Sequence, residues 1–415
     1  MKTGFIELVL RKPEINIGTL GHVDHGKTSL VKALTGVFTS RYSKEIARNI
    51  TIKLGYAMMS VYKCNTCDPP YNYFTRATCP KGHTCEFVRS ISFIDAPGHE
   101  VLMTTMLSGA AIMDGALLII AANEDCPQPQ TREHLYAAKV LGLEKILVIQ
   151  NKVDLVDRET AIQNQKQIAQ FLSEAGYGQS PVIPVSAERS LNIDILMWAL
   201  EEYFPNPKRD PNAQLRMPII RSFNVNRPGV PLEQINGGVV GGSITSGKLS
   251  LGDRILISPG WLRGTSPNYS NLLLESTVGS IMFDGASLDE ANAGGLIAVG
   301  TSLDPALAKN DRLSGSILSP SDNPLPVVRA LGLELELFEK LLGTESLQEV
   351  KPVSVGEKLN LNVGVGTSRG TITSKKGKIA ELNLEIPIVA QIGQRATVSR
   401  LFERRWRLIG YGKVV

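Results

Sequence analysis

Apolar runs and amphipathic stretches alternate along the first half of the chain. Runs at residues 15–20, 91–94, 116–121, 146–150 and 182–185 have the length and aliphatic content of buried strands. Between them, apolar positions recur every three or four residues, as over 131–141 and 160–175, which predicts helices that bury one face. This rhythm predicts a doubly wound, mostly parallel α/β sheet, whose ligands sit at the carboxyl ends of its strands. A Pro-rich stretch at 204–211 ends the pattern. Beyond it come short, glycine-punctuated strands, such as 238–245 and 253–260. A second break at 319–326 precedes the alternation of 331–337. The expected organisation is one α/β domain over residues 1–207, then two all-β barrels over 208–325 and 326–415.

Composition adds bounds. The chain has 415 residues, 43% hydrophobic and 20% charged, which suits a folded core without disulfide staples. Its longest apolar run, 116–122, is far shorter than the roughly 20 residues of a membrane helix. The first residues are too charged for a secretory signal, so a cytoplasmic protein with no membrane partner is expected. The net charge of +4 says little, but its distribution says more. From Arg369 onward, ten Lys or Arg face only Glu381, Glu385 and Glu403. Basic residues interleaved with Phe402 and Trp406 suit either a nucleic-acid backbone or a solvated protein surface.

The strand at 15–20 runs into Gly21-His-Val-Asp-His-Gly-Lys-Thr28, and a helical pattern opens at Ser29. Strand, glycine loop and helix in that order form a phosphate-binding loop, lined here by Asp24, His25, Gly26, Lys27, Thr28 and Ser29. Lys27 is placed to reach the β- and γ-phosphates, and the Thr28 hydroxyl to ligate Mg²⁺. Asp95-Ala-Pro-Gly98 follows the strand at 91–94: Asp95 can hold Mg²⁺ through water, and Gly98 can offer its N–H to a γ-phosphate. Asn151-Lys152-Val-Asp154 follows the strand at 146–150. The Asp154 carboxylate can accept from guanine N1–H and its exocyclic amine, a donor pair adenine lacks, which selects GTP and GDP. Asn151 and Lys152 would flank the base, and the backbone at Ser186-Ala187 would reach its O6. Thr51, in Arg48-Asn-Ile-Thr-Ile52, lies where a first switch would present a hydroxyl to Mg²⁺.

Four of the five cysteines, Cys64, Cys67, Cys79 and Cys85, fall between Thr51 and Asp95, in an insertion at about 60–88. Zinc bound by four thiolates in a small knuckle is the expected reading. The second pair, C-x₅-C, is wider than usual, which leaves His83 as an alternative ligand and free thiols as an alternative state. Cys126 is expected to be a buried apolar side chain, and His134 a helix-surface residue.

These motifs together identify the chain as resembling the translational GTPases, within their elongation-factor-Tu-like branch: an α/β P-loop GTPase domain followed by two β-barrels. By that resemblance His99, directly after Gly98, orients the attacking water, and Val23 with Ile50 forms an apolar gate before it. The cysteine insertion, Lys53-Leu-Gly-Tyr56, Thr301-Ser-Leu-Asp-Pro305 and Lys309-Asn-Asp311 resemble the gamma subunit of the archaeal and eukaryotic heterotrimeric initiation factor two. That family implies GTP-dependent carriage of methionyl initiator tRNA to the small ribosomal subunit, with alpha and beta subunits as partners. A selenocysteine-specific or Tu-like elongation factor is the alternative within the same branch. His99→Ala is expected to slow single-turnover GTP hydrolysis while leaving GTP affinity nearly unchanged; an unaltered rate removes His99 from the chemistry.

Overall fold

Strands buried along their whole length form the middle of the first sheet. The structure, a computed structural model, describes residues 12–39, 53–99, 102–266, 269–342 and 348–415. The sheet comprises β1 (Ile15–Leu20), β2 (Gly55–Lys63), β3 (Tyr73–Phe74), β4 (Glu86–Asp95), β5 (Gly115–Ala121), β6 (Ile146–Asn151) and β7 (Val182–Pro184). Their order is β3-β2-β4-β1-β5-β6-β7. Pairings from β4 through β7 are parallel, whereas β2 runs antiparallel to β4 and β3 to β2. Every residue of β1, β5 and β6 is buried, because helices cover both faces.

The helices are α1 (Lys27–Thr35), α2 (Met103–Ala110), α3 (Pro129–Leu141), α4 (Arg158–Ala175) and α5 (Ile193–Tyr203). One apolar cluster joins α1 and α5 to the sheet through Leu30, Val31, Leu34, Phe93, Leu196 and Leu200. The other joins α2, α3 and α4 through Met106, Leu107, Leu135, Ala138, Ile168 and Phe171. Helix ends follow local chemistry. Asp157 accepts from Thr160 N–H to cap α4, and Gly36, Gly142 and Gly176 end α1, α3 and α4 in left-handed backbone.

The second domain holds β8 (Met217–Phe223), β9 (Val239–Ser250), β10 (Arg254–Arg263), β11 (Ser270–Phe283), β12 (Ala286–Leu288), β13 (Glu290–Thr301) and β14 (Ile317–Pro320), with a short helix, α6 (Pro305–Ala308). The order β10-β14-β8-β9-β13-β11 closes on itself because β10 also pairs with β11; β12 is a hairpin on β11. The third domain is a closed barrel of β15 (Val327–Leu337), β16 (Lys358–Val363), β17 (Gly366–Lys376), β18 (Ile379–Val389), β19 (Arg395–Phe402) and β20 (Arg405–Val414). Closure leaves no unpaired barrel edge. Among the described residues, no helix is long and apolar enough to cross a membrane.

Both barrels pack on the first domain. Asp114 takes both carboxylate contacts from Arg209 Nη2, each 2.7 Å, and Asn16 Nδ2 donates to Ser243 Oγ on β9. The third domain meets α3. Arg395 donates to the carbonyls of Lys139 and Val140 at that helix's C-terminus, and Tyr136 meets Phe338 edge to face. Glu133, 1% exposed, accepts the Leu408 N–H and lies 3.7 Å from Arg407.

Burial pushes the Glu133 carboxyl up to about 7, against the opposing pull of the Leu408 N–H and Arg407. Its folded pKa exceeds its unfolded value, so between the two the folded chain binds more protons. The contribution of Glu133 to stability therefore falls as pH rises from about 4.5 through about 7. Glu133→Gln is expected to flatten that decline, by up to about 3 kcal/mol. Urea unfolding at acid and mildly alkaline pH measures it, and an unchanged difference between the two refutes the assignment.

Candidate functional site

The carboxyl ends of β1, β4, β5 and β6 converge on the loop 21–28. Gly21 and Gly26 have φ of 134° and 89°, and Asp24, exposed at the loop's crest, has φ 59°. Such backbone favours glycine. The Leu30 N–H then bonds Gly26 O at 2.9 Å, starting α1. Lys27 is buried, and its ammonium bonds the carbonyls of Gly21 and His22. Burial pulls its pKa down to about 8, while Asp95 and Asp24 oppose the shift. Loop carbonyls thus hold the cation where a phosphate would be met.

Asp95, fully buried, gathers three threonines. Thr28 Oγ1 donates to Oδ2 at 2.7 Å, Thr39 Oγ1 to Oδ2 at 2.6 Å, and Thr19 Oγ1 to Oδ1 at 2.9 Å. The Thr28 hydroxyl and this carboxylate are the hard oxygen donors Mg²⁺ takes, so the residues present fit that ion. Thr39 and Thr19 were not singled out in the sequence; nothing marks a lone threonine as facing a carboxylate from another strand. Gly98 lies against the loop so closely that a Cβ would stand 2.3 Å from Lys27 Nζ. His99 is half-buried and its carbonyl accepts the Leu102 N–H. Val23 is half-buried; Ile50 and Thr51 lie outside the described residues.

At the other end of the loop, Asn151 acts as a brace. Its Nδ2 donates to His25 O at 2.9 Å, and its Oδ1 accepts the Ala187 N–H at 3.1 Å. The Ser186 N–H bonds Leu191 O. The backbone N–H groups expected to meet a base are therefore engaged within the protein, because the turn after β7 closes on Asn151 and on Leu191. Lys152 has φ 62°, which turns the chain so that Asp154 stands 3.9 Å from Arg189 Nε. An exposed pair at that distance is weak and leaves the carboxylate available to a base. Ser29 is half-buried at the start of α1.

Two histidines are buried, His134 against expectation. The His25 ring is buried, with Nδ1 3.1 Å from Ile119 O and Nε2 3.3 Å from Glu124; burial lowers its pKa to about 4. It reaches the site through its backbone carbonyl, not its ring. His134 is not on the helix surface: it is 1% exposed, and Nδ1 accepts the Gly21 N–H at 3.1 Å. Burial lowers its pKa to about 3, which keeps the ring neutral and able to accept. Helical spacing held the signal, since His134 shares the inward face with Thr131, Leu135 and Ala138.

The cysteines lie at the far end of the β2–β4 hairpin. Ligand atoms of Cys64, Cys67, Cys79 and His83 all lie within 4.8 Å of one another. Cys85 packs beside Cys64 and Cys79 but falls outside that set. The wide spacing explains this: a turn bonds Gly82 N–H to Cys79 O and brings His83 round, while the Cys85 N–H is held on Ala77 O. Cys64 Sγ lies 3.2 Å from Thr66 Oγ1, and that hydroxyl lowers its pKa to about 6. All five cysteines are unpaired, and Cys126 is half-buried.

Taken together, glycine loop, buried lysine, Asp95 cluster and Asn151 brace make a nucleotide site of the P-loop kind. Residues 12–206 match the model of the Elongation factor Tu GTP binding domain, and residues 329–414 that of Initiation factor eIF2 gamma, C terminal. The chain is thus a translational GTPase, which uses GTP and GDP with Mg²⁺. A translation initiation factor 2 subunit gamma from Methanocaldococcus jannaschii is 46% identical over 97% of this chain and 98% of its own length. The same-named protein of Pyrococcus abyssi is 47% identical over 97% of both. The chain belongs to the translation initiation factor 2 gamma-subunit family. A bacterial selenocysteine-specific elongation factor EF-Sec superposes with TM-score 0.74 at 23% identity, over 97% of this chain and 58% of that longer one. Elongation factor SelB from Methanococcus maripaludis, with a GTP analogue, gives 0.71 at 23% identity, over 97% and 79%. These structures share the fold.

Proposed function

We propose that the chain carries methionyl initiator tRNA to the small ribosomal subunit in the GTP state and releases it after hydrolysis. The observation that carries this reading is likeness to initiation factor 2 gamma subunits along nearly the whole chain, both barrels included. Alpha and beta subunits of the same factor are its partners, in the cytoplasm. The functional division is a GTP domain over 1–207 and barrels over 208–325 and 326–415. Asp24 to Ser29 and Gly98 bind the phosphates, with Lys27 turning from its loop carbonyls onto them. Thr28, Thr51 and Asp95 hold Mg²⁺, whose charge offsets that of the phosphates. Lys152 and Asp154 hold the guanine, Asn151 braces the loop beside it with Ser186 and Ala187 in the adjoining turn, and His99 orients water once Val23 and Ile50 admit it. Arg369 over the Trp406 ring, 5.8 Å from its centroid, offers a basic, flat surface for an RNA backbone.

Filter binding with GTP and with GDP tests the cargo. Initiator methionyl-tRNA is expected to bind at least about tenfold more tightly with GTP, and more tightly than elongator methionyl-tRNA or selenocysteine tRNA. Equal binding of initiator and elongator methionyl-tRNA favours an elongation factor and overturns the reading.

The knuckle is proposed to hold structural zinc through Cys64, Cys67 and Cys79. The fourth ligand is His83 or Cys85. Three sulfurs and one imidazole or thiolate fit tetrahedral Zn²⁺. Metal analysis is expected to give about one equivalent per chain, lost in Cys64→Ser. Whichever of His83→Ala and Cys85→Ser also loses metal identifies the fourth ligand; metal near zero in the parent chain refutes the site.

A further inference from the structure

Lys53, Leu54 and Gly55 lead into β2, and each touches a different part of the molecule. Gly55 pairs with Asp95 across β2 and β4. A Cβ there would stand 2.7 Å from Thr39 Cβ and 3.3 Å from Asp95 Cβ, so this strand end lies directly against the Asp95 cluster. Leu54 is buried on α2, where a Cβ on Gly109 would come within 2.6 Å of Leu54 Cδ2. Lys53 reaches the barrel of the second domain: its Nζ stands 2.5 Å from Asp311 Oδ2.

Asp311 is held as a fixed post. Its Oδ1 accepts from Arg221 Nε and from the Ser222 N–H, both at 3.0 Å and both from β8. Asn310 and Asp311 each have φ 59°, left-handed backbone that non-glycine residues adopt rarely and at a cost. That conformation aims the carboxylate out of the barrel toward Lys53. The barrel's own hydrogen bonds thus support a strained residue whose remaining oxygen serves the first domain.

We propose that Asp311 is a positioning residue for the nucleotide site: through Lys53 it ties the barrel of the second domain to the strand beside Asp95, and so couples barrel position to the choice between GTP and GDP. Only Leu54, buried on α2, separates Lys53 from Gly55, the first residue of β2. A displacement of the barrel acting on Lys53 therefore passes to Gly55 within two residues, where Thr39 and Asp95 leave no slack. Coupling of this kind is mutual: the bound nucleotide biases the barrel as much as the barrel biases the nucleotide. The Lys53 side chain is 42% accessible, so added salt weakens the link. The inference concerns nucleotide choice in a GTPase and does not depend on which tRNA is carried.

The test compares dissociation constants for GDP and a non-hydrolysable GTP analogue, on the full chain without tRNA, for Lys53→Met, Asp311→Asn and the double variant. Each single change is expected to shift the ratio of the two constants by about threefold or more, in the same direction, with a smaller shift at high salt. The double variant is expected to shift it no further than the larger single effect. Lys248→Met, which breaks another ion pair of the same barrel, is expected to leave the ratio unaltered while touching stability alone. An unchanged ratio in Lys53→Met, whose partly accessible side chain makes misfolding no explanation, overturns the proposal. So do effects that add in the double variant.

Discussion

One buried carboxylate organises the nucleotide end of this molecule. Asp95 takes hydroxyl donors from β1, from the start of α1 and from Thr39 beyond α1. A polar group so deeply placed needs hydrogen bonds to replace its lost hydration. Those donors come from segments distant in sequence, so satisfying Asp95 assembles the site. Thr19 works twice, since its oxygen also accepts the Ala96 N–H and sets the direction in which the chain leaves β4. Gly98 then lands against Lys27 and the backbone of Gly21 and His22. The phosphate loop and the loop after β4 are two sides of one polar cluster.

The barrels extend that cluster's reach. The apolar core beneath α2 and α3 takes in Ile220 from the second domain and Val365 and Leu408 from the third. Polar contacts fix the orientation that apolar packing alone would leave adjustable. Arg209 closes on Asp114, Ser108 donates to Val365 O, and Arg395 satisfies carbonyls at the end of α3. The first domain therefore has a preferred docking geometry for both neighbours, specified by directional bonds.

Much of the architecture was legible because it rests on local pattern. The strand, glycine loop and helix at the start, and the short glycine-bounded strands later, need only neighbouring residues to be recognised. What escaped depends on partners far away in sequence. β2 was not anticipated: its Gly-Tyr-Ala-Met-Met-Ser-Val-Tyr-Lys is ambiguous until β4 pairs with it antiparallel. His134 looked like surface because its polar ring suggested solvent; its acceptor nitrogen instead meets an N–H supplied from 113 residues away. Asp311 entered only through the resemblance carried by Lys309-Asn-Asp311, because the Lys53 and Arg221 that hold it lie on other elements. The fourth metal donor turned on whether a short turn returns His83 or Cys85 to the cluster, a question of backbone path that spacing leaves open.

The two adjacent residues Glu133 and His134 look in different directions from one helix. Glu133 receives the third domain's Leu408 N–H, and His134 receives the phosphate loop's Gly21 N–H. A rigid helix turns about 100° per residue, so it has no freedom to rotate toward one partner without leaving the other. Over evolutionary time, this makes the helix a poor place for piecemeal change. A new surface on the third domain would have to arrive with the old register of α3 intact, or with a matching revision of the phosphate loop.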